Sequence, residues 1–355
     1  MKNLLLFLVI AIQPILAQKA NVAQPFSVTS IQINIKKNTP QLVDLPGNAT
    51  SFVLELNQNT NIGNTTIKTD SETFIVKRAA HQGDTQNNTE LIVFEKAITS
   101  FTITSDALEG TFSAKSIYVT PIAIDNNYSN ARLSADCPKP EVIPISTWRA
   151  GLTPPKELPV QSVVKHVIVH HAAGSNTNTN YVDVVRNIYV FHTASNGWND
   201  VGYNFLIAQD GTIFEGRDGQ KIADGDNVIG AHFCSQNTGT MGICLLGDYM
   251  LVQPPQKAID ALAKLIAWKE AKEKIDPLAR TIHVASGKNL FNISAHRDGS
   301  CSTDCPGDNL YVKLAEIRQN TVAACADGTV VVVPPPVVVP IVTGEIGRAS
   351  CRERV

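Results

Sequence analysis

A short stretch near the carboxyl end, HRDGSCSTDCPGD (residues 296–308), concentrates side chains that bind metal ions. It holds one histidine, His296, and two cysteines, Cys301 and Cys305, among three aspartates. Zinc in proteins takes histidine nitrogen and cysteine sulfur, with four protein ligands in structural sites and three plus water in catalytic ones. The spacing is not that of a local zinc finger, so we expect a distant residue to complete the site.

Two adjacent histidines, His170 and His171, end the apolar run VKHVIVHH (residues 164–171), which is rich in β-branched residues and predicts a strand. Side chains alternate between the two faces of a strand, so only one of the pair can point into a given site. Two plainer interpretations remain open. A strand histidine is often a hydrogen-bonded core residue, and cysteines of an exported protein often form disulfides.

The amino terminus predicts export. Residues 1–17, MKNLLLFLVIAIQPILA, have one lysine, an apolar run and a final small residue, which is typical of a secretory signal peptide. The alternative is a membrane anchor, but the run is short for a span. No other segment reaches eighteen uninterrupted apolar residues, so we expect no stable membrane span after cleavage and a secreted location, extracellular or in the periplasm and cell envelope.

The composition is that of a globular protein with disulfides. The 355 residues carry a formal net charge of −2 and are 43% hydrophobic, which gives no sign of nucleic-acid binding. Seven cysteines in an exported chain predict disulfides, and the odd number leaves one to explain.

Two domains are predicted. Residues 18–123 contain short alternating runs separated by Asn, Gly, Asp and Thr, such as SFVLELNQ (51–58) and SFTITSD (100–106), which predicts a smaller all-β, sandwich-like domain. No catalytic set of residues stands out there, and a binding or spacer role is expected. Residues 124–146 are polar and contain proline, as linkers do.

Residues 147–324 predict an α/β domain with a central mixed β-sheet flanked by helices. The strand 164–171, a hairpin around Asp210-Gly211 and a strand at 241–248 alternate with helices expected at 181–195, 256–275 and 308–319.

Beyond residue 324 the sequence changes character. Residues 325–344 are rich in Pro and Val and predict a linker. The last eleven residues, EIGRASCRERV (345–355), can be back-translated into codons that resemble a short-read sequencing adapter, so we expect them to be non-native and Cys351 to be spurious. The plainer interpretation is a basic, disordered tail.

Several motifs, in order, resemble those of the zinc-dependent N-acetylmuramoyl-L-alanine amidases, the family of phage lysozyme-type amidases and peptidoglycan recognition proteins. They cover roughly residues 145–320 and leave out the β region. The motifs are WRAGLTPP (148–155), VIVHHAAG (167–174), FHTASNGWNDVGYNFLIAQDGTIFEGR (191–217), IGAH (229–232), NTGTMGICLLGD (237–248) and SAHRD…DCPGD (294–308).

The resemblance implies a role for each matched residue. It gives one Zn²⁺ held by His170, His296 and Cys305. Tyr203 and Thr303 take the catalytic positions beside the metal. The substrate groove is lined by His232, Trp198, Asn237 and Arg217. Packing alone is an equally good interpretation of Trp198, and a core position is the alternative for Tyr203.

The chain departs from the family in one loop. Eight residues separate His296 from Cys305, where the family usually has seven. The insertion weakens the alignment of Thr303 and brings Cys301 close enough in sequence to compete for the metal. Cys301 is otherwise a disulfide candidate, and Cys234 and Cys244 are a plausible second pair.

The implied reaction is hydrolysis of the amide between N-acetylmuramic acid and the L-alanine of the stem peptide. Zinc would lower the pKa of bound water and polarise the carbonyl, giving a zinc-hydroxide mechanism. Peptidoglycan or muropeptides would be the partners. The main alternative is a non-catalytic peptidoglycan-recognition protein, and a third hypothesis is an adhesin-like protein whose β domain carries the main function.

Overall fold

The computed structural model of the protein describes residues 24–57, 59–79, 88–124 and 137–324. The predicted signal peptide, most of the predicted linker, the Pro/Val-rich segment and the predicted non-native tail lie outside the described residues. No helix within the described ranges combines the length and apolar character needed to cross a membrane.

The amino-terminal region is all-β, as predicted, and forms one six-stranded sheet in the order β1-β6-β2-β5-β3-β4. All six described strands belong to this one sheet. Its strands, paired antiparallel, are β1 (Phe26–Ile35), β2 (Gln41–Leu54), β3 (Thr65–Lys68), β4 (Thr73–Ile75), β5 (Ile92–Ser105) and β6 (Gly110–Val119).

Irregular pairing in β2 lets this sheet enclose a core of its own. The register of β2 against β5 shifts between Asp44 and Ala49, across Pro46 and Gly47. Proline has no N–H to donate to a ladder, so it is found at such irregularities. The core is anchored by Phe52 and Phe101, whose rings meet edge to face at 4.9 Å.

The second region contains the predicted central mixed sheet. Its order is β13-β7-β10-β8-β9, parallel except for the hairpin of β8 and β9. The strands are β7 (His166–His171), β8 (Phe205–Ile207), β9 (Ile213–Glu215), β10 (Thr240–Leu245) and β13 (Ile293–Ala295). A separate pair, β11 (Arg280–Ile282) and β12 (Asn289–Phe291), precedes β13.

Helices cover both faces of this sheet. The helices are α1 (Ile145–Trp148), α2 (Tyr181–Val190), α3 (Gln256–Glu273), α4 (Asp308–Tyr311) and α5 (Leu314–Ala324). Residues of α3 and α5 share a core cluster with Val167 and Val169, on one face of β7. Residues of α2 pack with Leu206 and Cys244 on the opposite face. The predicted helix 308–319 is present as two helices, α4 and α5.

The two regions share a core. Three residues of the β region, Val53, Ile117 and Val119, lie in the same buried cluster as Val185 and Ile188 of α2. Polar contacts join the same surfaces. The side-chain hydroxyls of Thr50 and Ser51 both donate to Asn187 Oδ1, each at 2.8 Å.

Candidate metal centre

His170 occupies the next-to-last position of β7 and is fully buried. Its neighbour His171 faces the other side of the sheet, as strand alternation predicts. There His171 Nδ1 accepts the backbone N–H of Tyr249 at 3.2 Å and lies 3.8 Å from Asp248 Oδ1. Only His170 therefore faces the site.

His296 reaches the site because β13 is parallel to β7. Ala295 is in register with Val169, so the chain leaves β13 beside His170. A 3₁₀ turn (His296–Asp298) follows, and the chain then loops back to Cys305 before α4. Both His296 and Cys305 are buried. The fold thus brings together two motifs more than a hundred residues apart, as the sequence predicts.

The three side chains form a cluster with the dimensions of a zinc site. One ligand atom each from His170, His296 and Cys305 lies within 4.8 Å of the others. His170 Nδ1 and Cys305 Sγ are 3.6 Å apart. Tetrahedral ligands at ~2.05 Å (nitrogen) and ~2.3 Å (sulfur) from zinc lie about 3.6 Å from each other. The donor types and this spacing both fit Zn²⁺.

The surroundings of the Cys305 thiol keep it protonated unless a metal ion binds. Burial raises its pKa, and the carboxylate of Glu90 adds to the rise, while the backbone N–H of His171 and the charge of Arg297 oppose it. The His171 N–H donates to Cys305 Sγ at 3.4 Å. A thiol that coordinates a metal is deprotonated outright, so metal binding would reverse this preference.

Tyr203 is buried beside His170, with ring centroids 5.2 Å apart. Burial raises the pKa of its hydroxyl well above the ordinary value, and the nearby thiols Cys244 and Cys305 add to the rise. The hydroxyl is hydrogen-bonded to the Cys244 side chain. It therefore keeps its proton across the physiological range and can donate it in a hydrogen bond.

Thr303 is half-buried in the loop before Cys305. Its hydroxyl oxygen accepts the backbone N–H of Cys305 at 3.1 Å. This bond shapes the turn that presents the thiol and leaves the hydroxyl hydrogen available. The catalytic role of Thr303 stays a prediction.

The four predicted groove residues have different surroundings. Trp198 is half-buried and its ring lies against His192, with centroids 4.5 Å apart. Arg217 is half-buried and lines a cavity of about 850 Å³ with Arg149, Asp218 and Lys272. Asn237 Oδ1 accepts the backbone N–H groups of His232 and Phe233, both at 2.8 Å. Their contacts with substrate stay predictions.

His232 is largely buried and faces the metal cluster from behind His170. Its Nδ1 lies 3.0 Å from His170 Nε2. The sequence identified this residue only as a groove position, and its contact with His170 is the new observation.

Two residues near the cluster, Cys244 and Glu90, were not predicted from the sequence to lie at the site. Cys244 is directly in register with His170 on the neighbouring strand β10, a position that strand pairing could have revealed. Glu90, from the β region, raises the pKa of Cys305, Cys244 and Tyr203. No sequence motif identifies Glu90, because it comes close to Cys305 only through the packing of the β region against the second region.

Of the other described cysteines, three are disulfide-bonded and Cys244 is a free thiol. Cys301 forms a disulfide with Cys234, and the sulfurs of both lie 3.3 Å from His296 Nε2. The prediction of Cys301 as a disulfide cysteine is confirmed. The suggested pairing of Cys234 with Cys244 is wrong, because Cys244 is a buried free thiol. Cys137 is also disulfide-bonded.

Comparison with known proteins identifies the family to which the chain belongs. Residues 160–308 match the N-acetylmuramoyl-L-alanine amidase family. Peptidoglycan-recognition protein SC2 of Drosophila simulans is 32% identical over 175 residues, which cover 49% of this chain and 84% of that protein. The chain belongs to this family.

Two further comparisons show the extent of the similarity. Peptidoglycan-recognition protein LB of Drosophila melanogaster is 34% identical over 174 residues, 48% of this chain and 66% of that protein, just under two thirds of its length. The solved structure of wild-type Drosophila PGRP-LB aligns with 32% identity and a TM-score of 0.39, over 49% of this chain and 92% of that one. The amidase match contains the whole cluster of His170, His296 and Cys305 and begins after the β region has ended.

Proposed function

We propose that the protein is a zinc-dependent N-acetylmuramoyl-L-alanine amidase, a hydrolase that cleaves the amide between N-acetylmuramic acid and the L-alanine of the stem peptide. The observation that carries the proposal is the buried cluster of His170, His296 and Cys305, whose atoms lie within 4.8 Å of one another. A protein that only recognised peptidoglycan would not need a complete set of zinc ligands.

His170, His296 and Cys305 would hold one Zn²⁺ and leave its fourth position open. When bound, the metal supplies Lewis-acid chemistry: it lowers the pKa of water and polarises a carbonyl. The three ligands come from the ends of β7 and β13 and from a loop before α4, so the rigid sheet fixes two of them. Rigid placement favours catalysis because little reorganisation is needed during the reaction.

Tyr203 would donate a hydrogen bond to the oxygen that becomes negative as the amide is attacked. Its raised pKa keeps the proton in place, and the hydroxyl would turn from the Cys244 side chain to the substrate oxygen during the reaction. Thr303 would offer a second hydroxyl at the loop edge, since its oxygen is already held by the Cys305 N–H. We also propose export, because the Cys234–Cys301 disulfide is of the kind that persists in oxidising compartments.

The decisive experiment pairs metal analysis with digestion of purified peptidoglycan. Wild-type protein should contain one zinc per chain and release stem peptides with a free L-alanine amino terminus. Cys305→Ala should lose both properties. Binding to the wall without release of peptides, by a zinc-loaded protein, would reject the amidase in favour of a recognition protein.

A further inference from the structure

The two ring nitrogens of His170 face different partners. Nδ1 points to Cys305 Sγ at 3.6 Å, inside the metal cluster. Nε2 points away from it, to His232 Nδ1 at 3.0 Å. A histidine that binds zinc through one nitrogen must carry its proton on the other, so His170 Nε2–H donates and His232 Nδ1 accepts.

The far side of His232 is hydrogen-bonded as well. His232 Nε2 lies 3.3 Å from Thr240 Oγ1, and Thr240 Oγ1 lies 2.7 Å from the backbone carbonyl of Asn237. A carbonyl oxygen can only accept, so the Thr240 hydroxyl must donate to it. The hydroxyl oxygen is then the acceptor for His232 Nε2–H. Every hydrogen in the series therefore has one direction, from His170 through His232 and Thr240 to Asn237.

The surroundings of His232 are built to hold one ring orientation. Side chains at Gly230 or Gly242 would place a Cβ 2.5 Å from His232 Cδ2, so both positions must lack one. The backbone N–H of His232 is held by Asn237 Oδ1 at 2.8 Å. The imidazole is 6% exposed, and Thr240 is fully buried. These contacts hold the imidazole of His232 in one orientation.

We propose that His232 is a positioning residue for the metal centre. It fixes His170 in the tautomer that leaves Nδ1 free to bind the metal, and the hydrogen-bond series ending at the Asn237 carbonyl fixes the tautomer of His232 in turn. The inference rests on the proposed zinc centre and deepens it. It also gives the IGAH motif a role that does not involve substrate.

The test is zinc affinity, measured by competition with a chelator on the full chain. His232→Phe keeps a ring in the space but removes the acceptor, and affinity should fall by about 10- to 100-fold, as is usual when the partner of a ligand histidine is lost. His232→Asn returns an oxygen near the position of Nδ1 and should recover most of the loss. Thr240→Val, which removes the hydroxyl from a buried strand position, should cause a smaller loss.

The control is His283→Phe. His283 is also buried, and its ring nitrogens bond Ser286 and the Thr238 carbonyl, with no contact to His170, so zinc affinity should not change. If wild-type protein binds no zinc, the proposed function fails. If wild type binds zinc and His232→Phe binds it equally well, this inference alone is wrong. If His232→Phe does not fold, equal affinity in Thr240→Val and wild type contradicts it.

Discussion

Two free thiols, Cys244 and Cys305, are both fully buried near His170, and their surroundings give them different roles. Cys305 Sγ lies 3.6 Å from His170 Nδ1, the separation expected of two ligands of one zinc ion, whereas Cys244 is hydrogen-bonded to Tyr203. Because the two cysteines are equally buried, variants of the two can be compared directly.

We expect Cys305→Ala to lower zinc affinity by more than about 100-fold, because loss of a ligand should exceed the effect of losing a ligand's partner. Cys244→Ala should keep its zinc. Metal content after dialysis against a weak chelator separates the two variants. Equal retention of zinc by both would show that Cys305 is not a ligand.

We expect Tyr203→Phe to reduce kcat for release of stem peptides by about 100-fold, as the loss of one donor to a developing oxyanion commonly does. Zinc content should stay at one per chain. Tyr189→Phe is the matched control, since its buried hydroxyl donates to the Thr153 carbonyl away from the metal cluster. An unchanged kcat in Tyr203→Phe would assign this tyrosine to packing.

At this scale the sequence predicts which three side chains come together, His170, His296 and Cys305, because each lies in a local motif. It does not predict their partners. Glu90 and the contact of His232 with His170 arise from approaches between distant segments, and no spacing along the chain encodes them.

Among the elements, α3 carries a carboxyl group that is almost fully buried, Glu270. Glu270 is 2% exposed, and neither of its carboxylate oxygens has a hydrogen-bond partner within the part of the chain that the structure describes. Burial raises its pKa from 4.5 to about 8, with a smaller contribution from Asp276. The group is therefore held neutral in the folded protein near pH 7.

The pKa of Glu270 is higher in the folded than in the unfolded state, so its contribution to stability is complete below about pH 4.5 and is lost as the pH rises through about 8. Glu270→Gln should raise the free energy of unfolding at pH 9 by about 2 kcal/mol or more, at ~1.4 kcal/mol per pKa unit. Urea unfolding at pH 6 and pH 9 measures this.

Glu273→Gln, one turn further along α3, is the opposite case. Partial burial raises the pKa of Glu273, but hydrogen bonds from Lys269 and Asn227 outweigh it and lower the pKa. This variant should lose stability at both pH values. A gain in both variants, or none in Glu270→Gln, would contradict the assignment.

The loop between His296 and Cys305 is tied to a distant segment of the chain. It holds Cys301, whose disulfide to Cys234 spans 67 residues of sequence. A loop of that length predicts a stabilisation of about 4 kcal/mol in the chain-entropy description. Cys301→Ser should lower the free energy of unfolding by roughly that amount and weaken zinc binding. Unchanged stability would indicate that the loop is held by its other contacts.

The elements themselves were largely predictable, because periodicity and the Asp210-Gly211 turn are local signals. The passage of β2 through Pro46 and Gly47 was not predictable in this way. There the strand continues through two residue types that usually end strands, and its register against β5 shifts between Asp44 and Ala49.

At the scale of the whole molecule, the β region and the amidase domain are expected to unfold together. Val53 of β2 is fully buried in the cluster shared with α2, while Leu42 of the same strand is 68% exposed. The sequence could not reveal this interface, because Val53 looks like any inward-facing strand residue.

We expect Val53→Asp to destabilise both regions, by about 4 kcal/mol or more, because an unpaired charge is buried at their junction. Leu42→Asp should change stability by less than about 0.5 kcal/mol. Calorimetry should show one transition in wild type, shifted as a whole in Val53→Asp. Two transitions, with only one affected, would show that the regions are independent.

The disulfide beside His296 also has a consequence for how the protein matures. Before that bond forms, Cys234 and Cys301 are two thiols around the same imidazole, and with His296 they make a second set of metal ligands. Zinc that reached the chain in a reducing compartment would have two competing places to bind, both using His296. Formation of the disulfide removes one of them, so zinc added after oxidation would meet only the cluster of His170, His296 and Cys305.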